Sequence, residues 1–145
     1  MRALAIILGV LSLIVVAVFF VGRRSAKNEL ELIKPYSTYK KLLYLGSGCD
    51  AYNQKYGTWP SNINQLRMFR PDLNEHSKDA FGKDILLTPY NAALGYGTLI
   101  SYGSDLKPGG VLKQEQDIEI RFPSKANVLW NDQVGKQYPR PRLRP

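Results

Sequence analysis

Leu42-Leu43-Tyr44-Leu45-Gly46-Ser47-Gly48-Cys49-Asp50-Ala51-Tyr52-Asn53-Gln54-Lys55-Tyr56-Gly57-Thr58-Trp59-Pro60 is the stretch on which the fold turns. Leu42, Leu45, Cys49, Tyr52 and Tyr56 recur at spacings of three and four, which makes one apolar stripe on a helix of roughly four turns. Lys40, Lys41, Asp50, Asn53 and Lys55 fall between these positions and are expected to face water. Gly46 and Gly48 lower the intrinsic helix preference, so here the pattern outweighs propensity. Gly57 tolerates the left-handed conformation that closes a helix, and Pro60 prevents its resumption.

Upstream, residues 3 to 21 carry no charge, and at about 1.5 Å of rise each they approach the roughly 30 Å thickness of the bilayer hydrocarbon. A cleaved secretory signal is the competing reading. It would have a shorter apolar core and small residues before the cut, whereas here Arg23 and Arg24 precede Ser25 and Ala26. An uncleaved anchor over 1–26 is therefore expected, followed by a helical run from Lys27 to Lys34 and a kink or new segment at Pro35.

Downstream, Ser61 is placed to cap a short helix through Leu66, and Arg70 to Lys83 reads as loop. Strands are expected at Ile85–Leu87, Thr98–Tyr102 and Ile118–Phe122, separated by turn chemistry at Gly95, Gly97, Gly103, Pro108, Gly109 and Gly110. The fold class is α+β: a long N-terminal transmembrane helix and a kinked second helix packed on a small antiparallel sheet. Residues 27–132 form the globular domain, and 133–145 a basic, extended tail.

The net charge of +8 is concentrated in that tail, where Lys136, Arg140, Arg142 and Arg144 meet no acid after Asp132. Such a local excess suits anionic lipid or an acidic partner, and no nucleic-acid-binding motif accompanies it. Cys49 is the only cysteine, so no internal disulfide forms, and the expected role is a small buried apolar side chain. His76 is the only histidine, lies in a polar stretch and is expected to be solvated. It leaves no multi-histidine metal site and little room for a histidine-based triad. Asp79 and Asp84 flank a turn, with nothing to set two carboxylates across a cleft. Tyr90, Tyr96 and Tyr102, interleaved with glycine, fit a packed sheet edge or a binding surface. No enzymatic activity is expected.

Three ordered motifs over roughly 40–120 resemble the major pseudopilins of bacterial type II secretion. Tyr52 to Pro60, with Leu66 six residues on, resembles the family's YxxxxGxYP signature. Asp79-Ala80-Phe81-Gly82-Lys83-Asp84 resembles its DPWGxP turn. Ser101-Tyr102-Gly103-Ser104-Asp105, with Pro108-Gly109-Gly110 and Asp117-Ile118, resembles its SxGxDGxxGG…DI loop. The resemblance implies a pilin-like fold, a single-pass protein of the bacterial inner membrane with a periplasmic domain, and other secretion or pilus subunits, or further copies of itself, as partners.

It also implies calcium in the last loop, held by Asp105 and Asp117 with the carbonyls of Tyr102 and Lys107. Leu106 stands where the family's glycine follows the first aspartate, and Lys107 and Lys113 add positive charge. Turn formation by the same aspartates through Asx hydrogen bonds is the alternative to metal.

Two features oppose parts of this. Arg23, Arg24 and Lys27 follow the span while only Arg2 and the amino terminus precede it, so the positive-inside rule alone puts the domain in the cytoplasm. The family's short basic leader and its membrane-embedded glutamate have no counterpart here, which implies a different route into any filament. A pseudopilin-like domain recruited as a stand-alone inner-membrane binding protein is the alternative function.

Overall fold

The chain divides into two units, Met1–Glu31 and Leu32–Pro145. A computed structural model describes residues 33–109, 116–125 and 127–138, all in the second unit. Among the described residues no helix is long and apolar enough to cross a membrane. The expected span at 3–21 and nearly all of the run at 27–34 lie outside them.

The first helix, α1, occupies 33–56. It is followed by α2 (Ile63–Phe69), a 3-10 helix (Pro71–His76), β1 (Leu86–Asn91), β2 (Tyr96–Ser101), β3 (Ile118–Phe122) and α3 (Val128–Gln137). The three strands form one antiparallel sheet in the order β1-β2-β3. The second unit is thus α+β, a long helix with a three-stranded antiparallel sheet.

The stripe read from the sequence is the buried face of α1: Leu42, Leu45 and Cys49 are inaccessible, and they share a core with Leu99, Ile118, Ile120 and Phe122 of the sheet. Fully burying one such leucine contributes about 2 kcal/mol. The two mid-helix glycines have a packing reason. A Cβ at Gly46 would lie 3.1 Å from Ile120 Cδ1, and one at Gly48 2.7 Å from Leu73 Cδ1. Lost propensity is exchanged for close approach of the sheet on one side and the 3-10 helix on the other.

Several expectations need correction. Pro35 does not begin a segment, because residues 33 and 34 are already helical. It sits in the first described turn of α1, where proline is tolerated. Tyr56 is half exposed, packing on the rings of Tyr52 (4.7 Å) and Phe69 (5.7 Å) in place of the sheet. Lys41 and Asp50 are not simply solvated. Lys41 Nζ donates to the carbonyls of Lys78 and Asp79, and the Asp50 carboxylate accepts the Ser124 N–H.

Asn62, not Ser61, caps α2: its Oδ1 accepts the Gln65 N–H at 3.0 Å, while Gln65 Oε1 reaches back to the Ser61 N–H at 2.8 Å. The stretch read as loop over 70–83 contains the 3-10 helix, started by Pro71 and anchored by buried Leu73.

The largest correction is α3, where an extended tail was expected from Gln133. Its hold is partly polar, beside Val134 and Tyr138 packed in the core. Arg121 N–H donates to Asn131 Oδ1 and Asn131 Nδ2 donates to the Arg121 carbonyl, both at 3.2 Å, so one amide side chain pairs with the open edge of β3 as a further strand would. Tyr39 Oη donates to the Asn131 carbonyl at 3.0 Å, and Tyr138 Oη to the Asp117 carbonyl at 3.4 Å. A polar face of this kind is invisible to hydrophobic periodicity.

Burial, with a smaller contribution from neighbouring Asp50, pushes the Cys49 thiol well above its usual range. Since the thiolate is the reactive form, Cys49 in the folded chain is expected to resist alkylation by iodoacetamide at pH 8 and to react fully in denaturant. Mass spectrometry of intact protein checks this, and rapid native labelling would show that α1 opens readily.

Candidate functional site

The second and third motifs meet through one buried carboxylate. Asp79, 3% exposed, begins a tight turn in which its N–H donates to the Lys83 carbonyl (2.8 Å) and the Gly82 N–H to its own carbonyl (3.2 Å). Gly82 takes φ +78°, the left-handed value this turn requires. Asp79 Oδ1 accepts the N–H groups of Phe81 and Lys83, each at 2.8 Å, and Oδ2 accepts the hydroxyl of fully buried Ser101 at 2.7 Å. Ser101 Oγ in turn accepts the Gly103 N–H at 3.3 Å. Thr38 of α1 closes the cluster, its Oγ1 accepting the Ala80 N–H at 3.1 Å.

The loop expected to bind calcium leaves β2 directly after Ser101. Tyr102 and Asp105 are half-buried and Lys107 is exposed. Asp105 Oδ1 accepts the Lys107 N–H at 3.3 Å, the Asx turn foreseen as the alternative to metal. Asp117 Oδ2 accepts the Gly109 N–H at 2.9 Å, whereas its Oδ1 is buried without a partner. Leu106 has φ +59°, so the backbone at this point is left-handed even though the residue is not glycine. Among the described residues no group of three or more His, Cys, Asp or Glu side chains is placed to hold a metal. Lys113 and Gly110 lie outside those residues. Asp117, after burial, is the second cause of a raised Tyr138 phenol pKa.

The first motif plugs the sheet. Trp59 stacks on Tyr90 at 5.1 Å and tilts against Phe122 at 5.5 Å, and Pro60 and Leu66 are buried. Tyr96 has a different role: its ring and that of Trp130 both meet the Arg121 guanidinium, at 4.2 and 3.9 Å. His76 is not a free surface side chain: its ring lies 4.4 Å from that of Tyr44, and its Nδ1 is buried without a partner. Nothing in the sequence pairs Tyr44 with His76, because the contact depends on the 3-10 helix.

No protein-family model, curated protein or solved structure matches the chain.

Proposed function

We propose that the chain is a membrane-anchored, pseudopilin-like protein of a type II secretion or type IV pilus-related assembly, acting by protein contacts and not by catalysis. The observation that carries this reading is the buried Asp79–Ser101 hydrogen bond, which joins the first residue of one family-like motif to the first residue of the next. The left-handed Leu106 at the position of the family's glycine is a second support. The fold is then pilin-like, anchored by residues 3–21 in the bacterial inner membrane with its domain in the periplasm. Partner subunits or further copies meet its outer surface.

Mild crosslinking in cells followed by purification of the full chain tests the reading. Secretion or pilus subunits are expected among the crosslinked products, and protease added to spheroplasts is expected to remove the domain. Repeated absence of such subunits would favour the stand-alone inner-membrane binding protein, and a protected domain would place it in the cytoplasm.

Calcium belongs to the same proposal. The orphan Asp117 Oδ1 is a hard, unsatisfied acceptor of the kind this ion takes, and Asp105 with the carbonyls of Tyr102 and Lys107 would complete the protein's share of the ligands. Calcium at a hundredfold excess over its Kd is expected to stabilise the full chain by about 2.7 kcal/mol over chelator. Asp117→Asn should abolish that gain in a thermal melt. Equal midpoints with calcium and with chelator would leave the aspartates as turn formers only.

A further inference from the structure

We propose that an open groove of about 590 Å³ along the outer face of α1 binds a phosphate-bearing ligand. Ser37, Lys40, Lys41, Tyr44 and Ser47 line it from one side of the helix, and His76 of the 3-10 helix lines it from the other. Their spacing of three and four residues defines a face of α1 distinct from the stripe of Leu42, Leu45 and Cys49. This inference rests on α1 and the 3-10 helix alone and is independent of the secretion reading.

The groove gathers positive charge without a carboxylate in its lining. Lys41 Nζ is held by the Lys78 carbonyl at 2.8 Å and the Asp79 carbonyl at 3.3 Å, which fix the ammonium in place. Lys40 is exposed, with Nζ 6.0 Å from the Tyr36 ring centre. The Asp72 carboxylate, which accepts the Tyr44 hydroxyl, is taken up by Arg70.

His76 adds its imidazole, whose Nδ1 is buried without a protein partner. Ser37 adds a hydroxyl.

Lysines without arginine suit phosphate, met as a point charge by compact ammonium groups, better than a planar carboxylate, which matches the guanidinium fork. The volume exceeds that of a bare phosphate and leaves room beside Leu43 and the Tyr44 ring for an organic substituent. The ligand class is therefore a phosphate ester, either a phospholipid headgroup or a soluble phosphate.

The test uses the full chain, labelled with ¹⁵N, in neutral detergent micelles. Glycerol 3-phosphate is titrated in one arm, and phosphatidylglycerol is mixed into the micelles in the other. Saturable amide shifts are expected at Ser37, Lys40, Lys41, Tyr44 and His76 in at least one arm. Response to the lipid alone assigns the site to headgroups, and response to glycerol 3-phosphate assigns it to soluble phosphates. The double variant Lys40→Ala, His76→Gln is expected to weaken binding about tenfold or more while still unfolding in one cooperative transition. Absence of saturable shifts in both arms, or undiminished affinity in the double variant, would overturn the proposal.

Discussion

Asp79→Ala is expected to destabilise the domain by about 3–5 kcal/mol, because it strips partners from three donors at once. The Phe81 and Lys83 N–H groups lose Oδ1, and the buried Ser101 hydroxyl loses Oδ2. Each interior donor left unsatisfied costs about 1–3 kcal/mol, and the two amides are less deeply placed than the hydroxyl, which keeps the sum below the maximum. Ser101→Ala removes only one of the three and is expected to cost about 1–2 kcal/mol.

The bond between them should also appear as a coupling of at least about 1 kcal/mol when the double variant is compared with the two single ones. Urea unfolding of the full chain measures all four forms, and the prediction fails if Asp79→Ala shifts stability by under about 1 kcal/mol. The effect extends to the loop. Ser101 Oγ also accepts the Gly103 N–H at the root of the segment carrying Asp105, so Asp79→Ala should weaken any calcium response although Asp79 touches no proposed ligand.

What the sequence makes legible follows from which interactions have a period. The stripe Leu42, Leu45, Cys49 and the alternation of Ile118, Ile120 and Phe122 are repeated apolar choices, and both are buried as read. β1 and β2 were located with ends displaced by a few residues, since Asn91 and Gly95 turn the hairpin by means that hydropathy does not register. Asn91 Oδ1 accepts the N–H groups of Ala93 and Leu94, and Gly95 takes φ +75°.

The 3-10 helix and α3 leave no such trace in the sequence, for a related reason. Their attachments are isolated contacts, among them Leu73 filling the space at Gly48 and Asn131 pairing with Arg121, and isolated contacts leave no pattern to count. At the site, Asp79 and Ser101 were each singled out as motif residues. Their mutual contact spans 22 positions and depends on a β2 register that only the folded sheet defines. Asp105 Oδ1 closes an Asx turn on the Lys107 N–H, one of the two roles its motif position allows.

Gly97→Ala is expected to cost about 2–3 kcal/mol, against the usual direction for a glycine in an extended strand. Alanine narrows the unfolded ensemble and on that account alone would stabilise by about 0.4–1 kcal/mol. Here overpacking is the larger effect, at about 1–3 kcal/mol and more where backbone must move. The added methyl would run into the Phe122 ring and lie 2.9 Å from the Thr88 carbonyl oxygen. Neither can easily retreat. Phe122 is fully buried, cross-strand from Gly97 in the β2–β3 register and backed by Trp59, while Thr88 is fixed opposite Thr98 in the β1–β2 ladder.

The two clashes can be separated. Phe122→Leu removes the ring atoms that meet the methyl and leaves the carbonyl contact in place, so the double variant should cost less than the sum of the single variants, yet should not return to the Phe122→Leu value. Strict additivity within about 0.5 kcal/mol would mean that the ring contact is not what excludes alanine. The comparison bears on the whole fold. Trp59 is next to last in the first motif, Phe122 ends β3 and Gly97 is the second residue of β2, so this one contact measures how tightly the end of the first motif is held to the sheet.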